Sequence, residues 1–132
     1  VIGAKGDAFL QRDVVPFSEL DGKPLVLFCR PSSWRDRLDQ ISVDCGIKLN
    51  VILEADSLAL QTRIVSTGGV YALLGPYAID AAVKNDSLQA VPLADPSITR
   101  HVALSMSRHG ELTLACRTVM RELQDISKNL PH

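Results

Sequence analysis

The chain has no clustered cysteines, no membrane-length apolar run and almost no net charge, and each absence removes a class of function. Cys29, Cys45 and Cys116 are an odd number spread over 132 residues, with no C-x-x-C and no neighbouring histidine pair. That pattern supports neither a disulfide framework nor a zinc site, and points to a reducing cytoplasm. Each cysteine sits among apolar neighbours and is expected to be a small buried hydrophobe. No apolar run approaches the roughly 18 residues that a membrane helix needs, and the start, Val1-Ile2-Gly3-Ala4-Lys5-Gly6-Asp7, is no signal peptide. With 14 Lys+Arg against 15 Asp+Glu, the formal net charge of −1 argues against a domain devoted to gripping nucleic acid. Enzyme signatures are missing too. There is no G-x-G-x-x-G, no G-x-x-x-x-G-K-[ST], no G-x-S-x-G and no H-E-x-x-H.

What is present is an ordinary globular composition, 46% hydrophobic and 22% charged, long enough for a core that needs no metal or disulfide. Residues 24–29 are a short continuous apolar run, the mark of a strand covered on both faces. A helix follows, with Trp34, Leu38, Ile41 and Cys45 on one face, a capping-box-like start at Ser33 and Asp36, and a stop at Gly46. Residues 47–53 alternate, placing Ile47, Leu49, Val51 and Leu53 on one side of a half-buried strand. Asp56 or Ser57 then caps a second helix expected to bury Leu60 and Ile64, with Leu58 and Val65 beside them, before Gly68-Gly69 ends it. Residues 70–74 read as a third apolar strand, and Pro76 suits the first turn of a short helix running to about residue 83. Residues 88–93 form a weaker strand in which Pro92 suggests an edge or an early end. Residues 98–107 alternate again through Val102, Leu104 and Met106. Residues 111–130 carry the apolar stripe of an amphipathic helix, Leu112, Cys116, Val119, Leu123, Ile126 and Leu130. This order of strands and helices with short loops implies an α/β fold with a parallel-rich sheet flanked by helices.

In such a sheet ligands bind beyond the carboxyl ends of the strands, where helix N-termini present free amides. Three places qualify: residues 30–34, 54–57 and 75–77. Ser32, Ser33 and Ser57, with the adjacent amides, suit a small anion, and Arg30 or Arg35 would add charge. The alternative for each serine is a capping role only, and the two roles are compatible. Glu54 and Asp56 straddle a strand end as a possible carboxylate pair, although a solvated end with one capping aspartate accounts for them equally. His101 lies on the polar side of its strand, His109 in a turn and His132 at the terminus, and none has a partner in the sequence. Trp34 is placed to pack in the core or to line a cleft. No catalytic residue, metal ligand or cofactor site is expected.

The ordered series resembles the effector-binding domain of LysR-type transcriptional regulators. The match runs through residues 25–30, Ser32-Ser33-Trp34-Arg35, Cys45-Gly46-Ile47, Leu53-Glu54-Ala55-Asp56-Ser57, Val65-Ser66-Thr67-Gly68, Ile98-Thr99-Arg100 and the terminal amphipathic helix. The start, through Val15-Pro16-Phe17, is similar as well. Two positions depart from the family pattern: Val70 occupies its second glycine, and Gly75-Pro76 moves its proline by one. The resemblance implies a periplasmic-binding-protein-like (type 2) architecture of two lobes. It assigns residues 1–15 to a remnant of the first subdomain, 16–96 to a complete second subdomain, and 97–132 to a return strand and closing helix of the first. It implies a sensor, not an enzyme, that binds a small effector between lobes and works in the cytoplasm as a homodimer or homotetramer, with no membrane contact. It also implies DNA contact only through a helix-turn-helix domain that lies outside this sequence. Carried onto matching positions, the effector wall is Ser32, Ser33, Asp56, Ser57, Gly75 and Pro76, with Thr99 at the hinge. The alternatives are a piece of a two-lobed solute-binding protein, or an enzyme using Glu54 or His101 as acid or base.

Overall fold

The computed structural model describes residues 1–75, 78–79, 87–99, 103–105 and 113–128. These fall into two units, Val1–Arg100 and His101–His132. The first contains seven strands: β1 (Ile2–Ala4), β2 (Val15–Pro16), β3 (Pro24–Leu27), β4 (Asn50–Glu54), β5 (Tyr71–Ala72), β6 (Leu88–Ala90) and β7 (Leu93–Ala94). Two helices, α1 (Ser33–Asp44) and α2 (Leu58–Val65), join β3 to β4 and β4 to β5. One sheet has the order β4-β3-β5-β1-β6, and β2 pairs in parallel with β7 in a second. The βαβαβ core is parallel, as expected, because each crossover carries a helix. β1 is antiparallel to both of its neighbours, β5 and β6.

Period-two alternation decides which face each strand residue serves. Leu25, Leu27, Tyr71 and Leu73 join Leu38 and Ile41 of α1, with Phe17 and Leu20, in one core cluster. Val26, Ala72 and Leu74 join Ile2, Leu88 and Val65 of α2 in the other. The sheet is thus covered on both faces, which is why residues 24–29 read as uniformly apolar. Tyr71 packs its ring edge on Phe9, and its hydroxyl donates to Asp7 Oδ2 at 3.0 Å. Burial, then the Asp7 hydrogen bond and charge, push the Tyr71 phenol up to about 12.

Residues 1–15 contribute β1, an interior strand between β5 and β6, and fall in the first unit. Several expectations are corrected. The alternation of residues 47–53 breaks at a bulge, since Leu25 pairs with Val51 but Val26 with Leu53. Ile52 is the extra residue, and both Ile52 and Leu53 are exposed. α1 is capped by Ser32, whose hydroxyl accepts from the Arg35 amide, and Ser33 is the first helical residue. The strand at residues 88–93 is an edge strand that ends early, as Pro92 suggests: β6 stops at Ala90, and Pro92 lies in the gap before β7. Cys29 and Cys45 are half-buried and Cys116 is exposed, so none is the fully buried hydrophobe expected. Pro76, most of the short helix expected after it, half of residues 98–107, and His101, His109 and His132 lie outside the described residues; residues 98–99 and 103–105, which are described, show no strand. The second unit contributes α3 (Leu114–Lys128), started by Thr113, whose hydroxyl accepts from the Cys116 amide.

Gly3 shows how tightly β1 is enclosed. A Cβ built there would lie 2.5 Å from Leu10 Cδ1 and 3.0 Å from Tyr71 Cδ1. Leu10 is fully buried and has little room to retreat. Gly3→Ala is therefore expected to lower stability by about 1–3 kcal/mol, read from thermal or urea unfolding of the chain.

Candidate functional site

The carboxyl ends of β3, β4 and β5 lie side by side, because the three strands are parallel neighbours. The chain leaving each end carries polar backbone groups with no further ladder partner, and these must be satisfied. Side chains from the two crossover helices supply most of what is needed. Arg35 Nη1 of α1 donates to the Phe28 carbonyl at 3.3 Å. Trp34 Nε1 donates to the Leu73 carbonyl at 3.0 Å, tying the end of β5 to the N-terminus of α1. The Ala55 amide donates to the Leu27 carbonyl, and Gln61 Nε2 of α2 donates to the Ala55 carbonyl at 2.6 Å. The Cys29 amide donates to Asp56 Oδ1 at 3.0 Å, joining the loop after β4 to the loop after β3.

These bonds assemble a rim from the sequence-predicted residues. Ser32 caps α1, while Ser33 is exposed in its first turn. Ser57 caps α2, its hydroxyl accepting from the Leu60 amide at 3.3 Å and its carbonyl from the Gln61 amide. Asp56, the other expected cap, clamps the Cys29 amide. Gly75 follows β5, and its carbonyl accepts from the Ala78 amide at 3.0 Å. Thr99 is exposed, and among the described residues no hydrogen bond joins it to any of these loops. Pro76 lies outside the described residues.

The electrostatics differ from the expectation. Arg35 is buried, its side chain 6% exposed, and it reaches Glu54 Oε1 at 2.8 Å and Asp39 Oδ1 at 3.2 Å. Arg30 pairs with the other oxygen of Asp39. Both guanidiniums are thus paired within the protein, Arg35 in the interior and Arg30 at the surface, where its side chain stays 59% exposed. Burial pushes the Asp39 carboxyl up, but hydrogen bonds and charge from Arg30 and Arg35 outweigh it and hold the group below 3.8. Glu54, committed to Arg35, makes no carboxylate pair with Asp56. Burial, then Asp56 and Glu54, push the Cys29 thiol up, which keeps it protonated and a poor nucleophile. What the rim does present is a set of neutral donors. The Leu58 and Ala59 amides, in the first turn of α2, have no described partner and sit at the positive end of the helix.

An open groove of about 780 Å³ lies elsewhere, between α1 and the outer edge of β4, bordered by Val43, Ile47, Lys48, Asn50 and Val51. None of the rim serines, nor Asp56 or Gly75, lines it. Its Arg30, Arg35 and Asp39 are already paired, so it lacks the convergent free donors of a binding site. Among the described residues no group of three or more His, Cys, Asp or Glu is arranged to hold a metal, and no helix is long and apolar enough to cross a membrane.

Sequence reasoning missed the roles of Arg35 and Gln61. Arg35 was detectable in part, because Asp39 stands at i+4, a spacing that favours pairing. Gln61 had no local signal, because it occupies a core-facing position that a hydrophobic residue normally fills.

The model of the LysR substrate-binding domain matches residues 1–127. The chain belongs to that family, which binds ligands for regulation and has the periplasmic-binding-protein-like α/β fold seen here.

Removing the Arg35 guanidinium leaves the Phe28 carbonyl and two acidic side chains without their shared donor. Arg35→Met is expected to lose about 1–3 kcal/mol in urea unfolding, and Arg35→Lys, lacking the planar fork, is not expected to restore it. The depressed Asp39 carboxyl gives the pH sign: its contribution is complete above pH 3.8 and is lost as the pH falls through the lower folded value. Asp39→Asn should flatten that part of the stability–pH curve.

Proposed function

We propose that this chain senses a small anionic metabolite for a LysR-type transcriptional regulator, binding it at the carboxyl rim of β3, β4 and β5. Family membership supports effector sensing. The observation that supports this particular place is the pair of capped helix N-termini, at Ser32 and Ser57, tied together across one sheet edge by Trp34–Leu73 and Cys29–Asp56. A carboxylate placed there would accept from the Leu58 and Ala59 amides without displacing Ser57 from its cap. Ser32, Ser33, Asp56, Ser57, Gly75 and Pro76 then form one wall of the site.

In this reading residues 16–96, with β1 completing their sheet, make one lobe, and residues 97–132 return the chain toward the other, with Thr99 at the crossing. Closure of the lobes on the effector would pass to a helix-turn-helix domain of the same regulator through a homodimer or homotetramer in the cytoplasm. The protein then acts by binding alone and carries out no reaction.

A thermal-shift screen of small mono- and dicarboxylates tests the site. At least one compound is expected to raise the midpoint, as ligand binding to the folded state must. Ser57→Ala should cost about 1 kcal/mol through the lost cap and should also weaken the response to that compound. Ser57→Gly, which preserves most of the cap energy, should weaken the response with little loss of stability. Unchanged affinity in both variants would remove Ser57 from the site.

A further inference from the structure

α2 is turned the wrong way for its own hydrophobic pattern. Leu58 and Leu60 are 41% and 48% exposed, while Gln61 and Val65 are fully buried. A rotation of about 100°, one residue on the helical wheel, would carry Leu60 toward the place Gln61 occupies. Burial of apolar area alone favours that arrangement. The structure keeps instead a buried amide, and no described donor reaches Gln61 Oε1. A polar group held at such cost marks a constraint other than packing.

That constraint is the exit of β4. The Ala55 amide is the last group bonded to β3, through the Leu27 carbonyl. Its carbonyl points off the ladder and is taken, wholly buried, by Gln61 Nε2 at 2.6 Å. The next two residues are Asp56 and Ser57, followed by the first-turn amides of Leu58 and Ala59. One side chain therefore fixes both the direction in which the chain leaves the sheet and the rotation of the helix that it enters.

We infer that Gln61 is a positioning residue for the effector rim, aiming the Leu58 and Ala59 amides and Asp56 so that the site accepts a small carboxylate. This rests on the proposed function, and it places the specificity of that wall in a residue no ligand touches. Gln61 does for the site what an aliphatic residue at the same position, better suited to the core, would not.

The test uses the ¹⁵N-labelled chain, with trifluoroacetate as the probe because it stays ionised across the range and is visible by ¹⁹F. Gln61→Leu removes the unpaired Oε1 and adds apolar burial but leaves the Ala55 carbonyl unpaired, so it is expected to fold with a melting midpoint close to that of wild type. Amide-exchange protection of Leu60 and Gln61, whose amides are bonded to Ser57, should nonetheless fall, and the probe-induced shifts at Leu58 and Ala59 should weaken about tenfold. Gln61→Glu supplies the second variant. Its neutral acid donates O–H to the Ala55 carbonyl and should retain protection and probe binding at low pH. Its ionised form cannot donate, so both should be lost as the pH rises, while wild type changes little over the same range. A merely structural role predicts no such pH profile. Unchanged protection and probe shifts in Gln61→Leu, or a pH-independent Gln61→Glu, overturn the inference. Should Gln61→Leu fail to fold, the Gln61→Glu profile decides alone. A wild-type chain whose Leu58 and Ala59 amides ignore the probe counts against the carboxylate site itself. Protection of the Leu60 and Gln61 amides in the variants then still judges whether Gln61 positions the loop.

Discussion

The backbone groups at the carboxyl ends of β3, β4 and β5 have to be satisfied after the ladder stops, and the rest of the first unit is arranged around that need. A helix of parallel-sheet architecture ordinarily contributes apolar side chains to the sheet. Here each crossover helix also sends a polar one inward: Arg35 and Trp34 from α1, and Gln61 from α2. Asp56 completes the set from the loop itself. Unpaired, such groups would each cost on the order of 1–3 kcal/mol. Paired, they tie three strand exits into one rim.

The same arrangement decides what the rim can bind. Its cationic side chains are consumed by Asp39 and Glu54, in a pairing that offsets the expense of burying Arg35. The remaining attraction for an anion comes from oriented amides at the helix start, which carry partial charge and fixed direction. The proposed site would recognise by geometry more than by net charge, in keeping with a chain whose acidic and basic residues nearly balance. The open groove beside β4 has the reverse character: ample space, but charges already paired with one another.

Much of this was legible from residues alone, and the reason is local. The apolar run at residues 24–29, the serines before two periodic segments and the glycines after them specify strands, caps and stops through interactions within a few residues. The family resemblance rested on that order of signals, and the match over residues 1–127 agrees with it. Where the reading failed, a distant partner intervened. Leu53 was expected on the buried face, and a bulge at Ile52, visible only in the pairing with β3, turned it outward.

α2 draws the line most sharply. Its start at Ser57, its length and its end before Gly68-Gly69 follow from the sequence by itself, since caps and left-handed stops act on the nearest turn. The sequence also determined that strands would alternate with helices, and therefore that helix N-termini would gather at one edge of a parallel sheet. Which face of α2 meets that sheet was decided by tertiary structure, through a carbonyl at Ala55 that only the pairing of β4 with β3 leaves over. Hydrophobic periodicity ranks faces by apolar area. It carries no knowledge of a buried acceptor that must be met, and that one hydrogen bond outweighed two leucines.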